Sequence, residues 1–572
     1  MNNTEIADIF DRIANLLEIK GEIIYKILAY RRAAESIRIL SADLSGLSEK
    51  EILDVPGMGQ AIAQKIQELL VTGKLDFLQQ LENEVPPSLI ELLKVQDLGP
   101  KKVALFWKQV GITTLAELEQ AARADKLSSL PGMGSKSQAH ILAGIKTLKQ
   151  EKKRLPIDKA LTIAEKWLEK LRGLKGLKQV EIAGSLRRWK PTIGDLDFVG
   201  SSDEPTAVMQ DLLTLKGIQQ VLSQGNNKTS VVTEDNLNLQ LWLQPPKRFG
   251  SLLQFVTGSK EHNVRLREFA LKQGLSLSER GFVDQKLKET LCPNDADVYR
   301  ILGLPYIFPE MREDRGEIQA AIEHRMPDLV SIEDIRADLH VHTDWSDAHA
   351  SLEDMVQAAI NRGLKVLAIT DHSAATNGVN GLNENRLKEQ ASEVQKLKEK
   401  YGQSITLLHG IEAEILEDGS LDLAENALAK LDIVVASLHE HLYQPRDVIT
   451  ARLVKAIRNP LVDIIAHPGG RELPRTNGAD LNWEEVFQAA KEYQVALEIN
   501  SNPVHLDLDE VHARSAGEFG VIISIDTDSH ATHKFENLKF GVSVARRAWL
   551  NKQTVINTWP TEKITGWLKN RK

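Results

Sequence analysis

Between residues 338 and 530, short apolar runs end one after another in a histidine or an acid. Asp338-Leu339-His340-Val341-His342 opens the series. The run 366–370 leads into Asp371-His372, 433–437 into Leu438-His439, and Ala466 into His467-Pro468, while 521–525 is followed by Asp528-Ser529-His530. Helical stretches separate the runs, and that alternation builds a parallel α/β barrel whose strand ends converge on one catalytic face. His340 and His342, two apart at a strand end, send both imidazoles to one side. The convergent set is His340, His342, Asp347, His372, Glu412, His439, His467, Asp528 and His530: six histidines and three acids. One histidine after a strand is usually a satisfied core residue, but nine donors at successive strand ends point to a metal centre. N and O donors without thiolates suit a cluster of Zn²⁺, Mn²⁺ or Fe²⁺, which activates water at neutral pH and polarises a phosphodiester.

The whole chain is too long for one ordinary domain; 572 residues correspond to roughly three to five folding units. Hydrophobic residues at 42% and charged residues at 26% are an ordinary globular mix. No apolar run approaches the roughly eighteen residues that cross a bilayer, and Met1-Asn2-Asn3-Thr4-Glu5 is no signal peptide. A membrane or secreted protein is not expected. The one cysteine, Cys292, excludes an intrachain disulfide and a thiolate zinc finger, and fits a reducing cytoplasm. The net charge of −9 hides an asymmetry. Residues 331–572 have a net charge of about −10 and residues 101–190 of about +12. The positive surplus suits a phosphate backbone, although a solvated basic helix face would carry it equally well.

Residues 1–150 read as helices, with apolar residues spaced by three and four (Ile6, Ile9, Phe10, Ile13, Leu16, Leu17). One turn recurs among them. It reads Val55-Pro56-Gly57-Met58-Gly59, then Leu130-Pro131-Gly132-Met133-Gly134 and, with Asp97 in place of the first glycine, Val95-Gln96-Asp97-Leu98-Gly99-Pro100. A lone Gly-x-Gly usually only caps a helix. Three copies with the same apolar flanks, each before a lysine-bearing helix, are similar to the helix-hairpin-helix motif. Its glycine turn aims backbone N–H groups at a DNA phosphate. Gly57, Gly59, Gly99, Gly132, Gly134 and Lys136 are the expected contacts.

From 156 to 320 the pattern is mixed, with strands expected at 180–183 and 197–199 and in the alternating run 237–243. Residues 310–335 are charged and read as a connector. Here Ala183-Gly184-Ser185-Leu186-Arg187-Arg188 precedes Ile193-Gly194-Asp195-Leu196-Asp197-Phe198. Asp195 and Asp197 present both carboxylates on one strand face, where they can hold Mg²⁺ for a phosphoryl transfer. Gly184 and Ser185 offer backbone donors to a triphosphate, and Arg188 a cation for its developing charge. Asp-x-Asp alone is most often a solvated strand end; behind Gly-Ser-x-Arg-Arg it marks a site.

This segment resembles the nucleotidyltransferase palm of family X DNA polymerases, the group that includes polymerase beta. The resemblance runs through Gly194 and Phe255-Val256-Thr257-Gly258 to Asn263 and Arg267, positions that in the family receive the incoming nucleotide. It also implies a deoxyribose-phosphate lyase site, with Lys65 as Schiff-base lysine beside Lys26 and Tyr30. Ala61 stands where that pocket has another lysine, and an exposed helix lysine is the competing reading of Lys65. The family's third carboxylate, the base for the primer hydroxyl, falls on Gln240, counted back from Pro245-Pro246 and Phe249-Gly250. An amide neither takes up a proton nor brings charge to Mg²⁺. Glu234 and Asp235 could replace it only through a register shift that breaks the apolar alternation. An impaired polymerase is therefore expected.

The second half resembles the polymerase-and-histidinol-phosphatase (PHP) domain, a distorted barrel with a trinuclear metal site. All nine positions match, with Glu412 as the bridging carboxylate. Repeats, palm and barrel in this order look like a bacterial family X DNA polymerase. The implied organisation is multidomain: all-α helix-hairpin-helix domains at 1–80 and 81–155, an α+β palm at 156–250, a nucleotide-selection subdomain at 251–320, a linker at 321–335 and a distorted α/β barrel at 336–572. The implied activities are gap filling in base-excision repair with Mg²⁺ in the palm, and a 3′–5′ exonuclease with Mn²⁺ or Zn²⁺ in the barrel. Gapped or primer-template DNA and deoxynucleoside triphosphates are the expected partners of a monomer in the cytoplasm, associated with the nucleoid. Two other readings stay open. One is a small-molecule phosphatase resembling histidinol phosphatase, the other a polymerase-defective DNA-binding scaffold that keeps only the barrel's activity.

Overall fold

The computed structural model describes residues 3–40, 44, 47–55, 58–93, 95, 98–127, 130, 131, 133, 138, 141, 142, 145 and 154–571. The chain forms two compact units, Met1–Lys153 and Arg154–Lys572. No helix among the described residues is long and apolar enough to cross a membrane.

The first unit is helical. Asn3–Lys20 buries Ile6, Phe10, Ile13, Leu16 and Leu17, the stripe its spacing predicts, in a core shared with Ile24–Ile39 and the later helices. Helices Gln60–Thr72 and Pro100–Val110 each start from a glycine in extended conformation, Gly59 and Gly99. The turn before them is the same. Met58 N–H donates to the Val55 carbonyl, Leu98 N–H to Val95 and Met133 N–H to Leu130, at 3.1, 3.1 and 3.0 Å. The three sequence copies thus share one backbone bond between their described residues. The Cα atoms of Gly59 and Gly99 face open space. Gly57, Gly132, Gly134 and Lys136 lie outside the described residues.

In the second unit, a five-stranded sheet has the order Gln179–Ile182, Asp195–Ser201, Asn238–Gln244, Lys228–Thr233, Ile218–Gln224. Leu239, Leu241 and Leu243 turn to a core containing Trp167 of the helix Ile157–Arg172, so the intervening residues occupy the other face. Helices Lys260–Lys272 and Asp295–Ile301 surround a core of their own with Leu266, Phe282, Val298, Tyr299 and Met311, while helix Phe249–Thr257 packs Phe249, Leu252 and Leu253 on Ala183 and Val199 of the palm.

Seven parallel strands follow in chain order: Ala337–Asp338, Val366–Ile369, Thr406–Glu414, Ile433–Ser437, Ile464–Ile465, Ala496–Asn500 and Ile523–Asp526. A parallel bridge between Val341 and Ser529 brings the first strand's end against the last, so the barrel is nearly closed. Both strand faces are buried, which is why the runs are continuously aliphatic. Val366, Ala368, Val435, Ile464 and Ala496 pack with Trp559, Ile564 and Trp567 from the C-terminal segment.

The stretch 321–335 is not a free tether. Leu329 pairs with Asn551, and Val330 and Ile335 are buried in the same core as the palm and the barrel. Just before it, Glu310, Arg312 and Glu317 are buried as well. The charged composition that suggested a connector is spent on internal ion pairs. The strongest of these centres on the fully buried Arg547, which donates to the Arg188 carbonyl (2.7 Å), Glu313 (3.0 Å) and Glu510 (2.7 Å), so palm, barrel and the segment between them share one ionic knot.

Candidate metal centre and palm site

Every barrel candidate stands at or just beyond a strand's C-terminal end except Asp347, which enters from the loop after His342. Glu412 is the hub. Its Oε1 lies 3.1 Å from His467 Nε2 and 3.6 Å from His439 Nε2; its Oε2 lies 2.8 Å from His372 Nδ1, 3.3 Å from His340 Nε2 and 3.5 Å from His342 Nε2. Asp528 Oδ1 is 3.1 Å from His342 Nε2, and Asp347 Oδ2 3.2 Å from His530 Nε2. All nine predicted residues therefore come together. His467 and Asp528 hold left-handed backbone conformations, φ 28° and 51°. Strain of this kind in non-glycine residues concentrates at functional sites.

The donors fit metal better than they fit one another. His342 Nδ1, His372 Nδ1 and Glu412 Oε2 are buried without a hydrogen bond, although His372 Nδ1 and Glu412 Oε2 are only 2.8 Å apart. Buried polar atoms left in this state are costly unless something else satisfies them. Three groups have ligand atoms within 4.8 Å of one another: His342, Asp347, His372 and His530; His340, His342 and Glu412; and His372, Glu412 and His439. Burial, and then His530 and His372 beside it, push the pKa of His342 down to about 3, which keeps it the neutral imidazole a metal needs. Burial would raise Glu412, but His372, His340 and His439 outweigh it and hold the carboxylate ionised.

In the palm, Asp195–Ser201 and Asn238–Gln244 run parallel and place Gln240 directly beside Asp197. The register sets Gln240 between Asp197 on one neighbouring strand and Ser230 on the other. Glu234 is drawn away into ion pairs with Lys166 (2.8 Å) and Lys170 (3.4 Å), and Asp235 is exposed in the turn before the strand. Burial and the neighbouring Asp195 push the pKa of Asp197 up, a penalty that a divalent cation relieves. Gly184, at φ 59°, opens the short helix Gly184–Arg187, and a Cβ there would lie 2.1 Å from Asp197 Oδ2. Only glycine allows that backbone to lie against the carboxylate. Gly194 precedes Asp195 in the turn that aims it. Gly258 likewise leaves room for Asn263, whose amide bonds Gln254 and the Phe255 carbonyl and whose own carbonyl accepts from Arg267. Arg188 is occupied: it donates to Glu313 (2.9 Å) and the Thr257 carbonyl (2.7 Å).

Known domain families match along the chain: a helix-hairpin-helix domain over residues 1–75, a SAM-like helix-hairpin-helix tandem over 89–147, a DNA polymerase beta thumb over 252–313 and a PHP domain over 338–502. The chain is 35% identical over 573 residues to the DNA polymerase/3′-5′ exonuclease PolX of Bacillus subtilis (strain 168), with the full length of both chains covered. It belongs to the bacterial family X DNA polymerases that carry a PHP domain. This family X chain is also 33% identical over 246 residues to a probable phosphatase of Thermoanaerobacter sp. (strain X514), covering 41% of this chain and 95% of that one. A probable phosphatase of Clostridium botulinum (strain Hall) is 32% identical over 244 residues, covering 41% and 94%.

The helical domains of this family X chain bring Lys65, Lys26 and Tyr30 around one ring. Phe77 stacks on Tyr30 at 5.9 Å and lies 5.1 Å from Lys65 Nζ and 5.7 Å from Lys26 Nζ. In the barrel, the sequence reading missed Glu498 and Glu414. Glu498 Oε1 bonds His340 Nδ1 (2.8 Å) and Glu414 Oε2 bonds His439 Nδ1 (2.7 Å), fixing both rings with Nε2 toward Glu412. An acid at or within two residues of a strand's end among aliphatic neighbours was the available signal.

Proposed function

We propose that the barrel is a metal-dependent phosphoesterase that removes nucleotides from DNA 3′ ends in base-excision repair. The observation that carries this is Glu412, one carboxylate set among five histidines. His340, His342, Asp347, His372, Glu412, His439, His467, Asp528 and His530 would hold up to three Mn²⁺ or Zn²⁺ ions, while Glu498 and Glu414 keep two imidazoles in their ligand tautomer. Such ions supply Lewis acidity toward the phosphodiester and lower the pKa of water. In the palm, Asp195 and Asp197 would hold Mg²⁺, and Gly184, Ser185 and Arg188 would receive a deoxynucleoside triphosphate once Arg188 leaves Glu313. Phe255, Gly258, Asn263 and Arg267 frame its sugar and base. Gln240 makes primer extension the weaker activity, which favours, as a second reading, a protein that grips gapped DNA and acts through its barrel alone. The glycine turns and the basic stretch hold the DNA, Lys65 is the lyase candidate, and a cytoplasmic, nucleoid-associated monomer suits the set.

The test uses the full chain on gapped and 3′-recessed DNA with each metal in turn. With Mn²⁺ the natural protein should shorten the primer, and a chelator should stop it. His342→Ala and Glu412→Ala should each lose that activity and bind less metal, with the fold retained by circular dichroism. Undiminished degradation by His342→Ala with a full metal load would remove the case for this site.

A further inference from the structure

Above the barrel's ligand set lies a cleft of about 440 Å³ whose floor includes His372, His439, His467, Asp528 and His530. That is room for one small ligand, not for a duplex. Among the described residues that line it there is no lysine or arginine. Its two glutamates outside the ligand set are engaged: Asn377 donates to Glu440 and Arg475 to Glu472, both at 2.9 Å. With no lysine or arginine on the walls, the floor is the main attraction for phosphate; the walls mix Val379 and Leu442 with polar side chains such as Thr376, Asn502 and His505. One wall carries Tyr443, 80% exposed. A lone exposed aromatic is ordinary on a protein surface. Tyr443 differs in its place and in its support. His441 holds φ 57°, and the buried Arg452 reaches up to donate to the Glu440 carbonyl (2.9 Å) and Gln444 Oε1 (3.3 Å). Leu442 packs so closely on Gly470 that a Cβ there would meet it at 2.8 Å. The loop is anchored on both sides of a ring that is left in water.

We propose that Tyr443 is the platform on which the terminal nucleobase of a DNA 3′ end stacks while its phosphate reaches the cleft floor. The site then prefers nucleotides to bare sugar phosphates. This rests on the barrel's reading as a DNA 3′-end phosphoesterase. Stacking on an aromatic ring is tolerant of base identity and needs no basic wall, which matches the lining.

The test is calorimetric binding of thymidine 5′-monophosphate and of deoxyribose 5-phosphate to the full-length, Mn²⁺-loaded protein. Tyr443→Ala should weaken the nucleotide by roughly ten- to a hundred-fold and leave the baseless probe unchanged, while Tyr443→Phe should keep both affinities. Equal loss of both probes, an unchanged nucleotide affinity in Tyr443→Ala, or no nucleotide binding by the natural protein would each overturn the proposal. Tyr443-dependent nucleotide binding by a protein that leaves DNA 3′ ends intact would overturn the nuclease reading instead.

Discussion

Gln240 sits beside Asp197 on the adjacent parallel strand, so an amide stands where a charge would help draw in a second cation and take the primer's proton. In the proposed site the nucleotide is held by other groups, Asp195, Asp197 and the Gly184 turn, so its binding should survive. The loss belongs to the transition state and should appear in kcat more than in KM. With the barrel inactivated by His342→Ala, so that degradation does not hide synthesis, Gln240→Asp is expected to raise the primer-extension rate by roughly two to four orders of magnitude. A brisk natural polymerase that does not respond to this change would refute the assignment. The convergence of the nine barrel candidates and the place of Gln240 beside Asp197 were legible because strand ends and strand register are written in aliphatic alternation. Glu498 and Glu414 were passed over, because an acid at or near a strand end does not by itself say which histidine of another strand it bonds. Nor could motif spacing show that Arg188 is tied to Glu313, 125 positions along the chain.

At the scale of elements, residues 55 and 58, 95 and 98, and 130 and 133 share one hydrogen-bond pattern, and in the first two copies a glycine then starts a helix. Contacts of this kind address the phosphate backbone and carry little sequence information. Affinity for gapped duplex is therefore expected to fall by more than about ten-fold between roughly 50 and 200 mM salt, and to change little when the sequence is scrambled. Fluorescence anisotropy across that range would check it; a flat curve would mean that the basic stretch 101–190 is only a solvated face. The same scale shows where composition misled. Residues 310–335 look like solvent-exposed chain because they are charged, yet Glu310 pairs with Arg546 at 2.7 Å and Arg312 with Asp295 at 3.0 Å, and the segment is walled in. Charge predicts exposure only when no partner charge lies elsewhere in the sequence, and here the partners lie 236 and 17 positions away.

In the molecule as a whole, Arg547 anchors the ionic knot between palm and barrel. Removing one member of a buried pair leaves the other uncompensated, so Arg547→Ala should destabilise the second unit by about 3–5 kcal/mol in a denaturant titration. Glu313 gives the knot a pH signature. Burial alone would raise its pKa, but Arg547, then Lys190 and Arg188, outweigh that and hold it at about 2, against 4.5 for an ordinary glutamate. Between those values the unfolded chain binds the extra proton. A contribution of about 3 kcal/mol, complete above pH 4.5, is therefore lost as pH falls through 2. Glu313→Gln should flatten that part of the stability curve, and an unchanged acid limb would show that other carboxylates control it. A cut near residue 336 would leave Arg547 with Glu510 on one fragment and Arg188 with Glu313 on the other, losing the Arg547 bonds to Glu313 and to the Arg188 carbonyl and turning a shared interior into two surfaces. The palm thus covers a face of the barrel, with Trp189 against Phe540 and the Arg188 carbonyl against Arg547. Separating the two domains of this chain would call for a new surface around Arg547 as well as a shorter gene.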